Sequence, residues 1–461
     1  MSLYSIILAA GEGKRMKSNV AKPLQQAAGK ALVEWVVDTA TEAGCDENIV
    51  VIGHKAEDIR EYLGDRVKYA YQYEQLGTGH AVMQGIELLK DTQGTVMVLY
   101  GDAPLIEAKT LDKVREDHIK KKRAATVITA YIDNPYGYGR IVRENGEIVK
   151  IVEQKDADED ERLIKEINSG MYFFDIQKLK AALSRITNDN AQGEYYITDV
   201  VEIMLGDGDK VGAYVTDLEQ TLGVNDKLQL SQVGKILSRR KAVELMLSGV
   251  TIIDPDQVQV TANVKVGRDT VLYPGTVLEG NTVIGENCVI GSDTTLNNCK
   301  VGDNTTILKS VGIDSEIGSD TNVGPFAYIR PGSKIGSDVK IGDFVEIKNS
   351  TIDDGTKVAH LTYIGDADVG KRVNFGCGTV VVNYDGENKH RSIIEDDCFI
   401  GCNTNLVSPV TVRHGAYTAA GSTITDEVPA DSLAIARSKQ VVKEQWTAKR
   451  KKDKKRKKSK K

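Results

Sequence analysis

The chain has no long apolar run: nothing in its 461 residues approaches the roughly 18 consecutive apolar positions of a membrane span. Cysteine is scarce. The six are Cys45, Cys288, Cys299, Cys377, Cys398 and Cys402, with no CxxC pair, which speaks against a disulfide framework and a structural zinc site. Reduced, mostly packed thiols of a cytosolic protein are the expectation. A secretory leader is not expected either. The apolar start, Met1 to Ala10, has no basic residue before it, and Glu12, Lys14 and Arg15 follow at once. A cytoplasmic protein is predicted. Apolar residues are 41% and charged residues 27%, too apolar a balance for a wholly disordered chain. The length suits two or three domains.

Charge is unevenly spread. Residues 449–461 hold eleven Lys or Arg and one Asp, a block of +10, so the net −6 of the chain leaves −16 for the rest. Such a block is expected to be a disordered, solvated tail. No specific nucleic-acid or membrane partner is expected for it.

Two textures divide the chain. In the first half, strand-like runs at 3–10, 48–53, 95–100 and 125–131 alternate with helix-like segments at 32–43 and 79–89. That alternation predicts an α/β domain with a Rossmann-like, mainly parallel sheet, whose ligands bind beyond the carboxyl ends of the strands. Leu228, Leu230, Val233, Ile236, Leu237, Val243, Met246 and Leu247 recur at near-helical spacing and predict a connecting helix. After it, aliphatic-Gly pairs at 284, 290, 317, 323, 335 and 341 are spaced 6, 27, 6, 12 and 6, and the frame returns at Ile400, Leu406, Val412, Thr418 and Ile424. A period of six predicts a parallel β-helix of hexapeptide repeats, with roughly ten coils over residues 250–437. The spacing of 27 breaks the period, and loops are the expected cause. The predicted boundaries are 1–226 for the α/β domain, 227–249 for the helical arm, 250–437 for the β-helix and 438–461 for the C-terminal segment.

The segment Leu8-Ala9-Ala10-Gly11-Glu12-Gly13-Lys14-Arg15-Met16 follows the first strand. Glycines let backbone N–H groups approach phosphates, and Arg15 adds a fork of donors. Neither the GxGxxG fingerprint nor the GxxxxGK[ST] loop is present. The glycine loop, with Glu74–His80, Gly101-Asp102-Ala103-Pro104, Tyr136–Arg140, Val152–Asp156, Glu166-Ile167-Asn168 and Gly223-Val224-Asn225-Asp226, resembles the sugar-1-phosphate nucleotidyltransferases. Together with the hexads, the order of motifs over about residues 3–437 resembles a bacterial family of bifunctional enzymes. Its members join an N-acetylglucosamine-1-phosphate uridylyltransferase to a glucosamine-1-phosphate acetyltransferase, and their β-helix is left-handed.

The resemblance implies UTP as nucleotide and Mg2+ held by Asp102 and Asn225. It implies Arg15 and Lys22 on the phosphates as catalytic groups, and Leu8, Ala9, Gly11, Gln75, Gly77 and Thr78 around the nucleotide. Gly139, Glu153, Asn168 and Asn225 would hold the sugar phosphate. In the second half it implies His360 as general base, a role that suits a side chain titrating near neutrality. Arg330, Lys348 and Lys389 would hold the sugar phosphate, and Tyr363, Asn374, Asn383 and Tyr384 the sugar, with Asn383 as a candidate to orient His360 or the attacking amine. Acetyl-CoA would lie at Cys377, Cys402, Ala420 and Arg437. A homotrimer is implied by family alone.

The chain departs from that family at several positions. Pro23 follows Lys22 where the family places proline before the lysine, and Lys14 stands where Thr is common. Cys402 replaces a usual Ser and Cys377 a common Ala, so thiol reagents are expected to reach the acetyl site. Two other readings stay open on sequence. One is a single-function nucleotidyltransferase with a regulatory or oligomerising β-helix, against which His360, Asn383 and Lys389 argue. The other is a binding scaffold, against which Asp102 and Asn225 argue.

Overall fold

The computed structural model describes residues 2–90 and 93–458; Met1 of the opening run and residues 459–461 of the basic tail lie outside the described residues. Two compact units result, Met1–Lys241 with Val260–Ala262, and Ala242–Gln259 with Asn263–Lys461.

Unit one is built on a sheet whose central strands are buried on both faces, so they read as continuous apolar runs. Leu3–Leu8 lies between Glu47–Ile52 and Thr95–Tyr100, parallel to both, and Lys68–Tyr71 extends the parallel edge. At the other edge Val211–Val215 runs parallel to Ala125–Tyr131. The mainly parallel expectation needs one amendment. Glu166–Asp175 sits between Thr95–Tyr100 and Ala125–Tyr131 and is antiparallel to both. The chain reaches it from the hairpin Gly139–Glu144/Glu147–Val152, with no crossover helix to reverse its direction. Apolar clusters cover both faces: Ile6, Val82, Val98, Tyr172 and Phe174 on one, Ile7, Val36, Leu99, Leu111 and Phe173 on the other. The helix read as a connecting arm is Lys227–Leu247. Its first half is not free-standing: Val233 and Leu237 pack with Met16, Leu32, Leu105 and Val224.

Unit two is a left-handed parallel β-helix. Among the described residues its strands stack in three parallel sheets of eleven, ten and nine. Coil length is read from register partners. Leu272 and Ile290 are 18 residues apart, whereas Leu296 and Gly312 are 16 apart. The spacing of 27 therefore has a different cause from the loops expected. The inward residues Ile290, Leu296, Val301, Ile307, Gly312 and Ile317 step by six or five, so the corners, not loops, lose a residue. Asx residues occupy one such corner, Asp269, Asn287, Asn304, Asp320 and Asp338 following one another at φ of 54–60°. Short side chains that hydrogen-bond locally tolerate that left-handed conformation. A real insertion comes later. Val369 and Ile394 are register partners 25 residues apart, so a loop leaves the coil between Val382 and Ser392.

Among the described residues no helix is long and apolar enough to cross a membrane. The tail expected to be disordered is helical over Trp446–Lys458. Lys and Arg are good helix formers, and Arg450 caps the Trp446 ring at 4.9 Å one turn on.

Candidate functional site

The first site is a cleft of about 480 Å³ in unit one. It is lined by Leu8, Ala9 and the glycine loop to Arg15, with Lys22, Gln75, Gly77, Thr78, Tyr100 and Asp102. It lies where sheet physics puts it, past the last residues of Leu3–Leu8 and Thr95–Tyr100. The loop is fixed from below: Met16 is buried with Leu105 and Val224. Its preceding residue thereby faces the cleft, and Arg15 Nη2 donates to Asn225 Oδ1 at 2.8 Å.

Lys22 converges on the same atom, its Nζ donating at 2.9 Å, and pairs with the Asp102 carboxylate. The displaced proline does not turn Lys22 away. Lys22–Leu24 forms a 3-10 turn with Pro23 inside it, a position where a missing N–H costs nothing. Gly13 explains how the lysine enters. Its φ is +65°, and a Cβ there would stand 2.6 Å from the Lys22 Cβ. Asp102 and Asn225 are locked together by the Val224 N–H donating to the Asp102 carbonyl at 2.8 Å. Among the described residues no cluster of three or more His, Cys, Asp or Glu could hold a metal. The Asp102 carboxylate and Asn225 carbonyl nonetheless converge on a cation, here the Lys22 ammonium. Two oxygen donors on one positive charge fit a magnesium that keeps most of its waters.

The rest of the cleft follows. Gln75 Nε2 donates to the Ala10 carbonyl at 3.1 Å, and the Thr78 hydroxyl accepts the Ile197 N–H at 3.2 Å. Gly77 starts the helix Thr78–Ile86 at φ +105°, where a Cβ would meet the Tyr195 carbonyl at 2.6 Å. Gly139 and Asn168 are register partners, and Glu153 lies beside them, its Oε1 3.4 Å from where a Gly139 Cβ would be. Burial first, then the charges of Asp156 and Asp199, push the Glu153 carboxyl up. Burial, with Glu202 and Asp156, pushes Asp199 to about 6. Sequence reasoning missed Tyr100, Asp156 and Asp199. Tyr100 ends a strand and looks like core, Asp156 closes the motif Val152–Asp156 with no role read for it there, and Asp199 stands in no motif that names it.

The second site lies in unit two. Tyr328, Glu346 and Tyr363 are register partners on successive coils, and so are Lys348 and Gly365. Stacking thus sets Arg330, Glu346, Lys348 and Tyr363 side by side. Arg330 Nη1 bonds Glu346 at 2.7 Å. Lys348 Nζ bonds Asp366 at 2.8 Å, and Asn349 and Asn383 donate to the same carboxylate. Burial alone would push Asp366 up, but these three bonds outweigh it and hold its carboxyl below the usual range. Asn383, Tyr384 and Lys389 are carried by the inserted loop, where Tyr384 and Lys389 face each other as an antiparallel bridge.

His360 ends the strand Lys357–His360. Asn383 donates its side-chain N–H to Asp366 and not to His360. The His360 Nδ1 meets Asp343 Oδ1 at 2.6 Å. Asp343 and Glu346 were not singled out in the sequence, because their role depends on which coil stacks on which. From His360 one corner runs on. Val358 pairs with Phe375, which sets Cys377 on the next coil at the His360 position. The Asn403 N–H donates to the Cys377 carbonyl and the Gly421 N–H to the Cys402 carbonyl, both at 2.8 Å. Cys377, Cys402 and Ala420 therefore follow His360 coil by coil, and Arg437 reaches Gly421. Cys377 is half-buried and Cys402 exposed, whereas Cys288, Cys299 and Cys398 are buried. Burial pushes the thiols of Cys45 and Cys398 up to about 12 and about 11. Asn374, register partner of Lys357, lies in the same sheet as His360, on the strand Asn374–Phe375 of the next coil.

Fold and sites define a nucleotidyltransferase joined to a hexapeptide-repeat transferase. Residues 4–230 match the nucleotidyl transferase family. Residues 263–298 and 314–349 match the bacterial transferase hexapeptide (six repeats), and 392–426 the hexapeptide repeat of succinyl-transferase. Over the whole chain it is similar to proteins named bifunctional protein GlmU. That of Acetivibrio thermocellus is 55% identical over 97% of this chain and 98% of that protein. Those of Caldanaerobacter subterraneus and Thermoanaerobacter pseudethanolicus are 55% and 52% identical over the same shares. The chain belongs to the bifunctional GlmU family. It is an enzyme of two transferase activities, an N-acetylglucosamine-1-phosphate uridylyltransferase and a glucosamine-1-phosphate acetyltransferase.

Proposed function

We propose that the two activities are carried by the two sites described, acetyl transfer at His360 and uridylyl transfer at the Asp102 cleft. In the cleft, UTP lies along the glycine loop with its base at Gln75, Gly77 and Thr78. N-acetylglucosamine 1-phosphate is held by Gly139, Glu153, Asn168 and Asn225. A phosphate oxygen of the sugar attacks the α-phosphorus in line, and pyrophosphate leaves. Arg15 and Lys22 hold the phosphates and offset the charge that develops there, so positioning and electrostatics carry the rate. Mg2+ held by Asp102 and Asn225 would supply further charge neutralisation. The convergence of Arg15, Lys22, Asp102 and Asn225 on one point supports this reading.

In unit two, Arg330, Lys348 and Lys389 hold the phosphate of glucosamine 1-phosphate, and Tyr363, Asn374, Asn383 and Tyr384 its sugar. His360 takes a proton from the amine, which attacks the acetyl carbonyl of acetyl-CoA. The carbonyl–sulfur bond breaks, and the CoA thiolate leaves and is protonated. The corner of Cys377, Cys402, Ala420 and Arg437 supports a donor lying along it from the reacting end. Arg330 and Lys348 are paired with Glu346 and Asp366, so phosphate binding has to share or exchange those partners.

A homotrimer is the assembly we infer. Phe326 and Phe344 stack at 5.2 Å on the corner leading to His360, and both are at least half exposed. An exposed apolar ladder beside a half-open site suits cover by another copy of the chain. A cytoplasmic setting suits free thiols and soluble substrates. Pyrophosphate release from UTP, N-acetylglucosamine 1-phosphate and magnesium tests the first site, and thiol release from acetyl-CoA with glucosamine 1-phosphate tests the second.

A further inference from the structure

We propose that Asp343 is a positioning residue for acetyl transfer: it accepts the Nδ1–H of His360 and so leaves Nε2 as the basic atom facing the amine. This rests on His360 being the base. The pair is made by the fold. Asp343 and His360 are register partners at the ends of the strands Lys340–Asp343 and Lys357–His360, on adjacent coils. Nδ1 and the carboxylate oxygen are 2.6 Å apart, the length of a charge-assisted bond.

A neutral imidazole carries one proton, and the nitrogen that keeps it cannot accept another. A carboxylate on Nδ1 selects the tautomer with the lone pair on Nε2 and steadies the imidazolium that forms as the amine gives up its proton. The bond to His360 is the first cause holding the Asp343 carboxyl below its usual range, so Asp343 stays an acceptor through neutral pH. The competing partners point elsewhere. Asn383 is bound to Asp366, and Glu346 to Arg330. The other groups that face the pair are Lys340 and Lys357, themselves register partners along the same two strands, and Cys377 on the following coil.

The test compares Asp343→Asn, Asp343→Glu and His360→Ala with wild type. Thiol release is followed across pH with kcat and KM separated, and the thermal melt of each variant is recorded. Asp343→Asn keeps the size of the side chain and an acceptor oxygen but removes the charge. Its expected kcat is lower by roughly tenfold or more, with KM for glucosamine 1-phosphate within about twofold and the melt unchanged. The acid limb of its kcat/KM profile moves to lower pH, because loss of the negative partner disfavours the protonated ring. Asp343→Glu restores part of kcat. A wild-type kcat and profile in Asp343→Asn, with His360→Ala inactive, overturns the role of Asp343 and leaves His360 as base. An active His360→Ala overturns both. A kcat loss that only tracks a lowered melt, with the profile unmoved, makes Asp343 structural and also overturns the proposal.

Discussion

At the residue scale, the first site turns on close approach. Gly13 holds a left-handed φ with the Lys22 Cβ 2.6 Å from where its own Cβ would be. Gly13→Ala is expected to displace Lys22 from Asp102 and Asn225. Misplacing such a group by about an ångström costs up to roughly a hundredfold. Pyrophosphate release should fall at least about tenfold while thiol release stays at the wild-type rate; equal loss of both would contradict the local account. In the second site the corresponding residue is Asp366. Its depressed carboxyl pKa means that its stabilisation is present above the unfolded carboxylate value of about 3.9 and is lost as pH falls through the lower folded value. The β-helix is therefore expected to lose melting temperature on acidification below about pH 4. Asp366→Asn should flatten that slope and melt lower at neutral pH, since it leaves Lys348 and Asn383 short of a charged partner. A melt profile against pH checks both.

At the element scale, the inserted loop between Val382 and Ser392 is set apart from the hexads. It adds residues to one coil without altering the strands on either side, which keep their register with Asn405–Val407 and Thr411–Val412. Replacing 383–390 by a short turn is expected to abolish thiol release and leave the melt of the β-helix within a few degrees. A collapse of the melt would mean that the loop is part of the coil's own packing. This loop also shows what could be read in the sequence. Asn383, Tyr384 and Lys389 stand out there as polar residues breaking the hexad monotony, but nothing in the spacing says that they leave the coil. The repeats themselves are legible because each inward aliphatic residue is needed to fill the prism. Coil length is not, because a corner can drop a residue without disturbing that pattern. Asp343 escaped notice for this reason: its partner is 17 residues away, a separation fixed only by the stacking. In unit one the strands Leu3–Leu8, Glu47–Ile52, Thr95–Tyr100 and Ala125–Tyr131 were visible as apolar runs, with ends within about a residue or two of those found, whereas the parallel edge strands Lys68–Tyr71 and Val211–Val215 were not read. The antiparallel strand Glu166–Asp175 was not read either. It begins with polar residues that serve the site, Glu166 and Asn168, and these mask its apolar second half.

At the scale of the whole molecule, two chemistries share one chain whose halves each have their own core and their own site. The proposed trimer is checked by sedimentation of the full chain: three chains per particle are expected, and a stable monomer with full thiol release would refute it. Phe344→Glu should weaken assembly and acetyl transfer together, leaving pyrophosphate release near the wild-type rate. The basic helix Trp446–Lys458 is exposed over residues 446–457 and carries none of the residues assigned to either site. Ending the chain at Gln445 is therefore expected to change neither activity by more than about twofold, as a paired assay of the shortened and full chains would show.

The most direct test of two independent sites is that paired assay on wild type, His360→Ala and Asp102→Ala. Wild type should release both thiol and pyrophosphate. His360→Ala should lose thiol release alone and Asp102→Ala pyrophosphate release alone. A wild-type chain that releases pyrophosphate but no thiol would contradict the account and leave the β-helix as a scaffold.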